Sequence, residues 1–141
     1  MPRTILLDAN LLIGAFDGDA DNNPAHAAAK EKIEGLLLDP DVRLATSSLI
    51  RYEVLRNVQR IPVADLENIL NDFQQFDVRE KEARRAAEIY RLATASGQKL
   101  DKRQFDVFHY VCAELNELEF DSQDGDIPKI RNLLQSGINN A

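Results

Sequence analysis

The sequence predicts an α/β fold in which helices flank a short, central, parallel sheet. The first strand candidate, residues 5–7, is a run of branched apolar residues without polar alternation, which is typical of a strand covered on both faces. Segments with helical periodicity separate it from three further strand candidates, as the crossovers of a parallel sheet require. These candidates are residues 42–46, 76–79 and 117–120.

Length and composition fit a single domain, covering residues 1–141, that is large enough to bury a core. Apolar residues make up 44% and charged residues 29%, as in ordinary soluble globular proteins. No apolar run approaches the roughly 18 residues of a membrane span, and the first residues do not resemble a signal peptide. The single Cys112 excludes an internal disulfide and fits a reducing cytosol. We therefore expect a cytoplasmic protein.

The net charge of the chain bears on which kinds of binding partner the protein can have. Seventeen Lys and Arg against 24 Asp and Glu give a formal charge of −7. This charge argues against a protein that holds nucleic acid on a broad basic surface. It remains compatible with an enzyme whose acidic residues are neutralised by a metal ion in the working state.

Caps and breakers set the predicted helix boundaries. Asn23 followed by Pro24 is a strong helix start, and Ser47 or Ser48 is expected to cap the helix that follows the second strand. Residues 101–104 fit a capping box, so Asp101 is expected to be structural. The predicted helices cover residues 11–16, 24–38, 49–58, 62–73, 80–95, a segment that begins near 104, and 127–135.

Helical spacing predicts which side chains face the core. The polar stretch 17–23 is expected to be a surface loop. It lacks the spacing of a calcium-binding loop. The expected core residues are Ala28, Ile33, Leu36 and Leu37 in the second helix, Leu49, Tyr52, Leu55 and Val58 in the third, and Phe105, Phe108, Cys112 and Leu115 in the helix near 104.

Four acidic residues occupy positions from which their side chains can converge. Asp8 ends the first strand, Glu53 lies in the helix after the second strand, Asp106 lies near the start of a late helix, and Asp124 follows the last strand. In a parallel sheet, the ends of the strands and the beginnings of the following helices share one edge. Unpaired carboxylates that converge repel each other, and Mg²⁺ or Mn²⁺ offsets that repulsion. We therefore expect a divalent metal site; the scattered Cys and His residues do not favour zinc.

Each acid also has a structural interpretation. Asp8 could open a turn or cap the next helix. Glu53 could pair with Arg51 or Arg56 on a solvated helix face. Asp106 could act on the dipole of its helix. In the last acidic turn, spacing after Ser122 favours Asp124 over Asp121 and Asp126.

A metal held by carboxylates suits the hydrolysis of a phosphodiester bond. Such an ion positions the phosphate, lowers the pKa of a bound water and stabilises the leaving oxygen. The chain offers no serine with a well-placed histidine for triad chemistry, and no glycine-rich loop for a nucleoside triphosphate.

Four segments together resemble the motifs of PIN-domain ribonucleases, in the family's order and over nearly the whole chain. Residues 6–13 are similar to the opening motif, an Asp at a strand end followed by a small residue and Asn. Residues 45–56 resemble the second motif, in which a Ser-rich turn leads to a helix with one Glu. Residues 105–113 resemble the third, an Asp in an apolar helix, and residues 120–126 resemble the fourth, a Ser followed at the second position by Asp.

The resemblance, together with the chain length, implies a VapC-type toxin of a toxin–antitoxin pair with a PIN-like α/β/α sandwich. Such proteins are Mg²⁺-dependent endoribonucleases, typically homodimers, which a cognate antitoxin protein inhibits. By position, the metal-binding and catalytic acids would be Asp8, Glu53, Asp106 and Asp124, with Asn10 and Ser122 as supporting residues near the substrate and Asp126 as a further metal ligand.

Two features depart from the family pattern. The third motif usually has small residues where this chain has Phe108, His109 and Tyr110, and we expect His109 to be a packed or surface residue rather than a ligand. The family also tends to close with a short apolar strand, and residues 136–141 show none.

Two other functions are weighed against the nuclease. A phosphatase of the haloacid-dehalogenase type also begins with an Asp after its first strand, but it needs a second Asp where this chain has Asn10. A PIN-like protein without catalysis would only bind RNA or another protein, and the presence of all four acids argues against it.

Overall fold

Four parallel strands form the central sheet in the computed structural model, which describes residues 2–98 and 104–122. The strands are β1 (Arg3–Leu7), β2 (Val42–Ser47), β3 (Gln74–Phe76) and β4 (Glu119–Asp121). They lie in the order β3-β2-β1-β4, and every neighbouring pair is parallel. The predicted parallel α/β fold is therefore confirmed. The third strand was predicted at 76–79, but its pairing with β2 begins at Gln74 and ends at Phe76.

Among the described residues, six helices connect and flank the strands. They are α1 (Ala9–Phe16), α2 (Pro24–Leu38), α3 (Ser48–Arg56), α4 (Val63–Asn71), α5 (Glu80–Ala95) and α6 (Gln104–Leu115). The predicted cap of α2 is confirmed, since the Asn23 side chain accepts hydrogen bonds from the backbone N–H groups of Ala25 and His26. Ser47 caps α3 by accepting from the N–H of Ile50. The predicted helix at 127–135 lies outside the described residues, as do Asp101 and residues 136–141.

The sheet register brings the first and last strands together where the site is expected. Leu7 on β1 pairs with Asp121 on β4, so the next residues, Asp8 and Ser122, leave the sheet side by side. Ile5, Leu6 and Leu7 are almost fully buried, as a strand covered on both faces should be. This buried strand provides a rigid support for Asp8.

The buried faces of α2 and α3 differ in part from the prediction. In α2, Ala29 and Ile33 are buried, whereas Leu37 is 56% exposed. In α3, Ile50 and Val54 are buried, and Tyr52 is 52% exposed. The residues that were wrongly or only partly assigned are Ala28, which is exposed, and Leu36, Leu49, Leu55 and Val58, which are half-buried.

Contact with other side chains explains the position of Tyr52. Its ring packs edge-on against Phe105 of α6, with ring centroids 6.0 Å apart. The guanidinium of Arg56 lies over the Tyr52 ring, 5.2 Å from its centroid. Aromatic and cation–π contacts therefore hold Tyr52 at the surface between α3 and α6, where helical spacing had predicted core.

Helix α6 buries a different face from the predicted one because it packs on two sides. Val107 and Val111 join Ala86, Ile89 and Ala93 of α5 in one apolar cluster. Cys112 and Ala113 belong to the main core around β1. Of the predicted face, only Cys112 is buried, while Phe105, Phe108 and Leu115 are half-buried.

Asp17, at the end of α1, was predicted in a surface loop but is 5% exposed. Its carboxylate accepts backbone N–H bonds from Gln59, Arg60 and Ile61, at 2.8, 2.7 and 2.9 Å. Burial alone would raise the pKa of Asp17, but these three hydrogen bonds outweigh it and lower the pKa. The contact joins the end of α1 to the segment between α3 and α4.

Glu82 is a second buried acid, and Arg79 pairs with it. The Arg79 guanidinium donates to the Glu82 carboxylate at 2.9 Å and lowers the pKa of Glu82 against the opposing effect of burial. Burial, with the nearby Glu82 charge, raises the pKa of Cys112 to about 11. Cys112 is therefore a protonated, structural thiol at neutral pH.

Within the part of the chain that is described, no helix has the length and apolar character needed to cross a membrane.

Candidate active site

Asp8 lies at the carboxyl end of β1 and is 4% exposed. One carboxylate oxygen, Oδ1, accepts the N–H of Ala9 at 2.8 Å and so caps α1. The other oxygen, Oδ2, accepts the hydroxyl proton of Ser122 at 2.7 Å. The capping interpretation is therefore correct, and the same oxygen, Oδ1, is also the one that lies 3.8 Å from Nε2 of His109.

Asn10 and Ser122 support Asp8 through two consecutive hydrogen bonds. The Asn10 Nδ2 amide donates to Ser122 Oγ at 3.2 Å, and Ser122 in turn donates to Asp8. The Ser122 hydroxyl has only one proton. Because Ser122 accepts from the Asn10 amide, this proton remains available for the hydrogen bond to Asp8. This chain of hydrogen bonds restrains the rotamer of Asp8.

Glu53 approaches Asp8 from α3, and the interpretation as a solvated surface residue does not hold for it. Its side chain is 17% exposed, and its Oε1 contacts Nε2 of His109. The Asn57 amide donates to the backbone carbonyl of Glu53, one turn further along the helix. Glu53 therefore faces inward, towards the edge of the sheet where Asp8 lies.

His109 completes the group; it is packed, as predicted, but its place beside the two acids was not predicted. The imidazole is 1% exposed, and its Nε2 lies 3.8 Å from Asp8 Oδ1 as well as against Glu53. One atom each from Asp8, Glu53 and His109 lie within 4.8 Å of one another. The signal in the sequence was the spacing: His109 follows Asp106 by three residues, and so lies on the same side of α6.

The other predicted acids lie outside the group of Asp8, Glu53 and His109, or outside the described residues. Asp106 lies in the first turn of α6, half-buried, and does not belong to the three-residue group that the described residues form. The Asp121 side chain forms an ion pair with Lys32 of α2, with Nζ to Oδ2 at 2.7 Å, which gives it a structural partner. Asp124 and Asp126 lie outside the described residues.

The donor set fits a divalent metal. Carboxylate oxygens of Asp8 and Glu53, which come from different parts of the fold, lie within 4.8 Å of each other. Carboxylate oxygens together with water are the ligands of Mg²⁺ and Mn²⁺. In the protein alone, hydrogen-bond donors reduce the repulsion between the two acids, since Ser122 donates to Asp8 and His109 contacts Glu53. Asp8 and Glu53 are the residues here that could hold the ion.

Solved structures share this fold. VapBC2 from Rickettsia felis, bound to a promoter DNA fragment, is 16% identical with a TM-score of 0.66, over 92% of this chain and 94% of that chain. VapBC-1 from nontypeable Haemophilus influenzae is 14% identical with a TM-score of 0.66, over 92% of each chain. The sarcin-ricin loop cleaving toxin VapC20 from Mycobacterium tuberculosis is 14% identical with a TM-score of 0.63, over 89% of this chain and 93% of that chain. At these identities, the likeness establishes the fold.

No curated protein shows a significant match to the sequence. The model of the PIN domain family, however, matches residues 5–133, most of the chain. That span includes the strand that ends at Asp8, the helix that bears Glu53 and the helix that bears Asp106 and His109. The sheet order, the meeting of Asp8 with Glu53 and the length of this match agree: the chain belongs to the PIN-domain family.

Proposed function

We propose that this protein is an Mg²⁺-dependent endoribonuclease and the toxin component of a type II toxin–antitoxin system. The observation that carries the proposal is the meeting of Asp8 and Glu53, from β1 and α3, at the edge of the sheet. Membership of the PIN-domain family supports a nuclease, and the fold shared with VapC structures supports a toxin. The substrate is RNA, and the reaction is hydrolysis of a phosphodiester bond by water.

The residues of the chain prepare this site for the metal. Asp8, Glu53, Asp106 and Asp124 would hold Mg²⁺, or Mn²⁺ in its place, and Asp126 would add a further ligand. When bound, such an ion activates water and stabilises the charge on the leaving oxygen. Asn10 and Ser122 keep the Asp8 carboxylate in one orientation, so less of the binding energy is spent on ordering it.

The partner that we propose is a cognate antitoxin protein. Two of the structurally similar proteins are VapBC complexes, which supports a partner of this kind. The charge of −7 favours rapid capture of a basic segment. We place an Arg or Lys of that segment beside Asp8 and Asp106. A homodimer, which the family resemblance implies, and a cytoplasmic location, which the single Cys112 fits, complete the proposal.

RNA cleavage with and without metal tests the activity. Total RNA incubated with the wild-type protein and Mg²⁺ or Mn²⁺ should yield discrete fragments, mapped by sequencing their ends. Excess chelator should abolish cleavage, and so should Asp8→Asn. Asp21→Asn makes the same charge change at an exposed position and should cleave normally.

Two results would contradict the mechanism. Cleavage that persists in excess chelator, or in Asp8→Asn at the wild-type rate, would exclude a metal held by Asp8. Metal and RNA binding without cleavage would instead support the inactive PIN-like binding protein. A cleavage assay and a filter-binding assay on the same RNA separate these two functions.

A further inference from the structure

His109 is a buried polar residue at the centre of the site. Its ring is 1% exposed and stacks on Phe120 of β4, with centroids 6.2 Å apart and planes inclined by 21°. Nε2 contacts Glu53 Oε1, whereas Nδ1 is buried and has no hydrogen-bond partner among the described residues. The two ring nitrogens therefore lie in opposite environments.

We propose that His109 is a positioning residue: its Nε2–H donates to Glu53 and fixes the carboxylate in the orientation that receives the metal. The inference deepens the proposed metal-dependent function and rests on it. His109 would do for Glu53 what Ser122 does for Asp8. Each of the two converging acids would then have its own donor.

The environment of Nδ1 selects the tautomer. A neutral imidazole carries one proton, on either Nε2 or Nδ1. A proton on Nδ1 would be a buried donor without an acceptor, which is unfavourable, and Nε2 would then turn a lone pair towards the Glu53 carboxylate. The Nε2–H tautomer donates to Glu53 and leaves no ring N–H buried without an acceptor.

The same argument separates positioning from direct metal binding. A metal-bound histidine presents an unprotonated nitrogen and donates its other N–H to a carboxylate, a carbonyl or water. For His109, binding through Nε2 would place the proton on Nδ1, where the described residues supply no acceptor. The geometry thus favours a donor to Glu53 over a nitrogen ligand.

Strand β4 lies against both donors. Phe120 stacks on the His109 ring, which α6 carries, and two residues later Ser122 donates to Asp8. Since β4 pairs with β1 up to Leu7, the register fixes where Phe120 and Ser122 lie relative to Asp8.

Titration of Mn²⁺ into the free protein tests the role without measuring catalysis. His109→Leu removes the donor at similar size, and we expect about tenfold weaker Mn²⁺ binding, the lower end of the effect of losing such a support. His109→Gln keeps an N–H at similar reach and should recover most of the affinity. Asp8→Asn is the reference for loss of the site, and Asp21→Asn is the reference for an unrelated charge change.

Nitrogen-15 NMR of the histidine side chains gives a second, independent readout. The chain has only two histidines, so the His109→Gln spectrum assigns both rings by subtraction. His26 is an internal standard, because its Nδ1 accepts the N–H of Asp19 at 2.9 Å and its proton must be on Nε2 when the ring is neutral. We expect His109 to show the same Nε2–H pattern.

The outcomes are distinct for the inference and for the proposed function. If Asp8→Asn loses Mn²⁺ while His109→Leu binds like the wild type, the positioning role is wrong and the metal site stands. Pulsed EPR that shows a nitrogen directly bound to Mn²⁺, lost in His109→Gln, would also overturn it. If the wild type binds no Mn²⁺, the proposed metal site fails in the free protein, and the NMR tautomer alone decides: Nε2–H supports the hydrogen bond and Nδ1–H refutes it.

Discussion

The hydroxyl of Ser122 donates to Oδ2 of Asp8 at 2.7 Å and joins two residues that are 114 positions apart in the chain. The contact exists because β4 pairs in register with β1, so Asp8 and Ser122 leave the sheet together. Asn10 donates to the same hydroxyl and fixes its direction. A single small side chain thus sets the orientation of the carboxylate at the centre of the proposed site.

Ser122→Ala should weaken the site without unfolding the protein. Loss of the hydroxyl removes the hydrogen bond to Oδ2 and leaves only the Ala9 N–H to orient the Asp8 carboxylate, so we expect Mn²⁺ affinity and cleavage rate to fall by roughly tenfold. Ser122→Thr keeps the hydroxyl and should retain most of both. Isothermal titration of Mn²⁺ and RNA cleavage measure the effect, with exposed Ser96→Ala as the control. Equal losses for the Thr and Ala variants would show that size at position 122, not the hydroxyl, matters.

Asp17→Asn should destabilise the fold. The substitution removes the charge that three backbone N–H groups share and offers them at most one amide oxygen, at a cost of roughly 2–3 kcal/mol. Asp21→Asn in the same loop is exposed and should change stability by less than about 0.5 kcal/mol. Urea unfolding followed by circular dichroism measures both variants.

The stabilisation by Asp17 should also depend on pH. Its pKa in the folded protein lies below the ordinary value of 3.8, so the stabilisation is complete above that value and is lost as the pH falls through the lower, folded-state pKa. The gap in unfolding free energy between the wild type and Asp17→Asn should therefore be constant at neutral pH and shrink below about pH 4. A gap that widens on acidification would contradict this assignment.

Local signals in the sequence account for what could be predicted. The apolar run that ends at Asp8, the cap at Asn23 and the Ser-rich turn before α3 depend on neighbouring residues, and all three are confirmed. The meeting of Asp8 with Glu53 followed from the rule that parallel strands end at one edge. The catalytic and metal-binding roles assigned to Asp8, Glu53, Asp106, Asp124 and Asp126, and the single domain over residues 1–141, stay predictions.

Contacts over long sequence distances account for what was missed. His109 contacts a glutamate 56 residues away, and Asp17 binds backbone groups 42 to 44 residues away. The spacing from Asp106 places His109 on one side of α6, but no local pattern predicts either of these long-range contacts. Tyr52 is a third example. Helical spacing predicted that it lies in the core, but its contact with Phe105 of another helix keeps it at the surface. Spacing predicts that a helix has a buried face; its neighbours decide which face that is.

Two glycines with opposite surroundings provide a matched test of the packing between α1 and α2. A Cβ on Gly18 would lie 2.2 Å from the backbone oxygen of Gly14 and 2.9 Å from the ring of His26, so the backbone itself would have to move. Gly18→Ala should therefore cost at least about 2 kcal/mol in unfolding free energy, as overpacking does.

At Gly35, within α2, a Cβ would meet nothing within 4 Å, and Gly35→Ala should stabilise the protein by roughly 0.5–1 kcal/mol because alanine favours the helix. Urea midpoints that move in opposite directions would confirm the close approach at Gly18; an unchanged midpoint in Gly18→Ala would mean that α1 ends differently, and with it that Asp17 is not held as described.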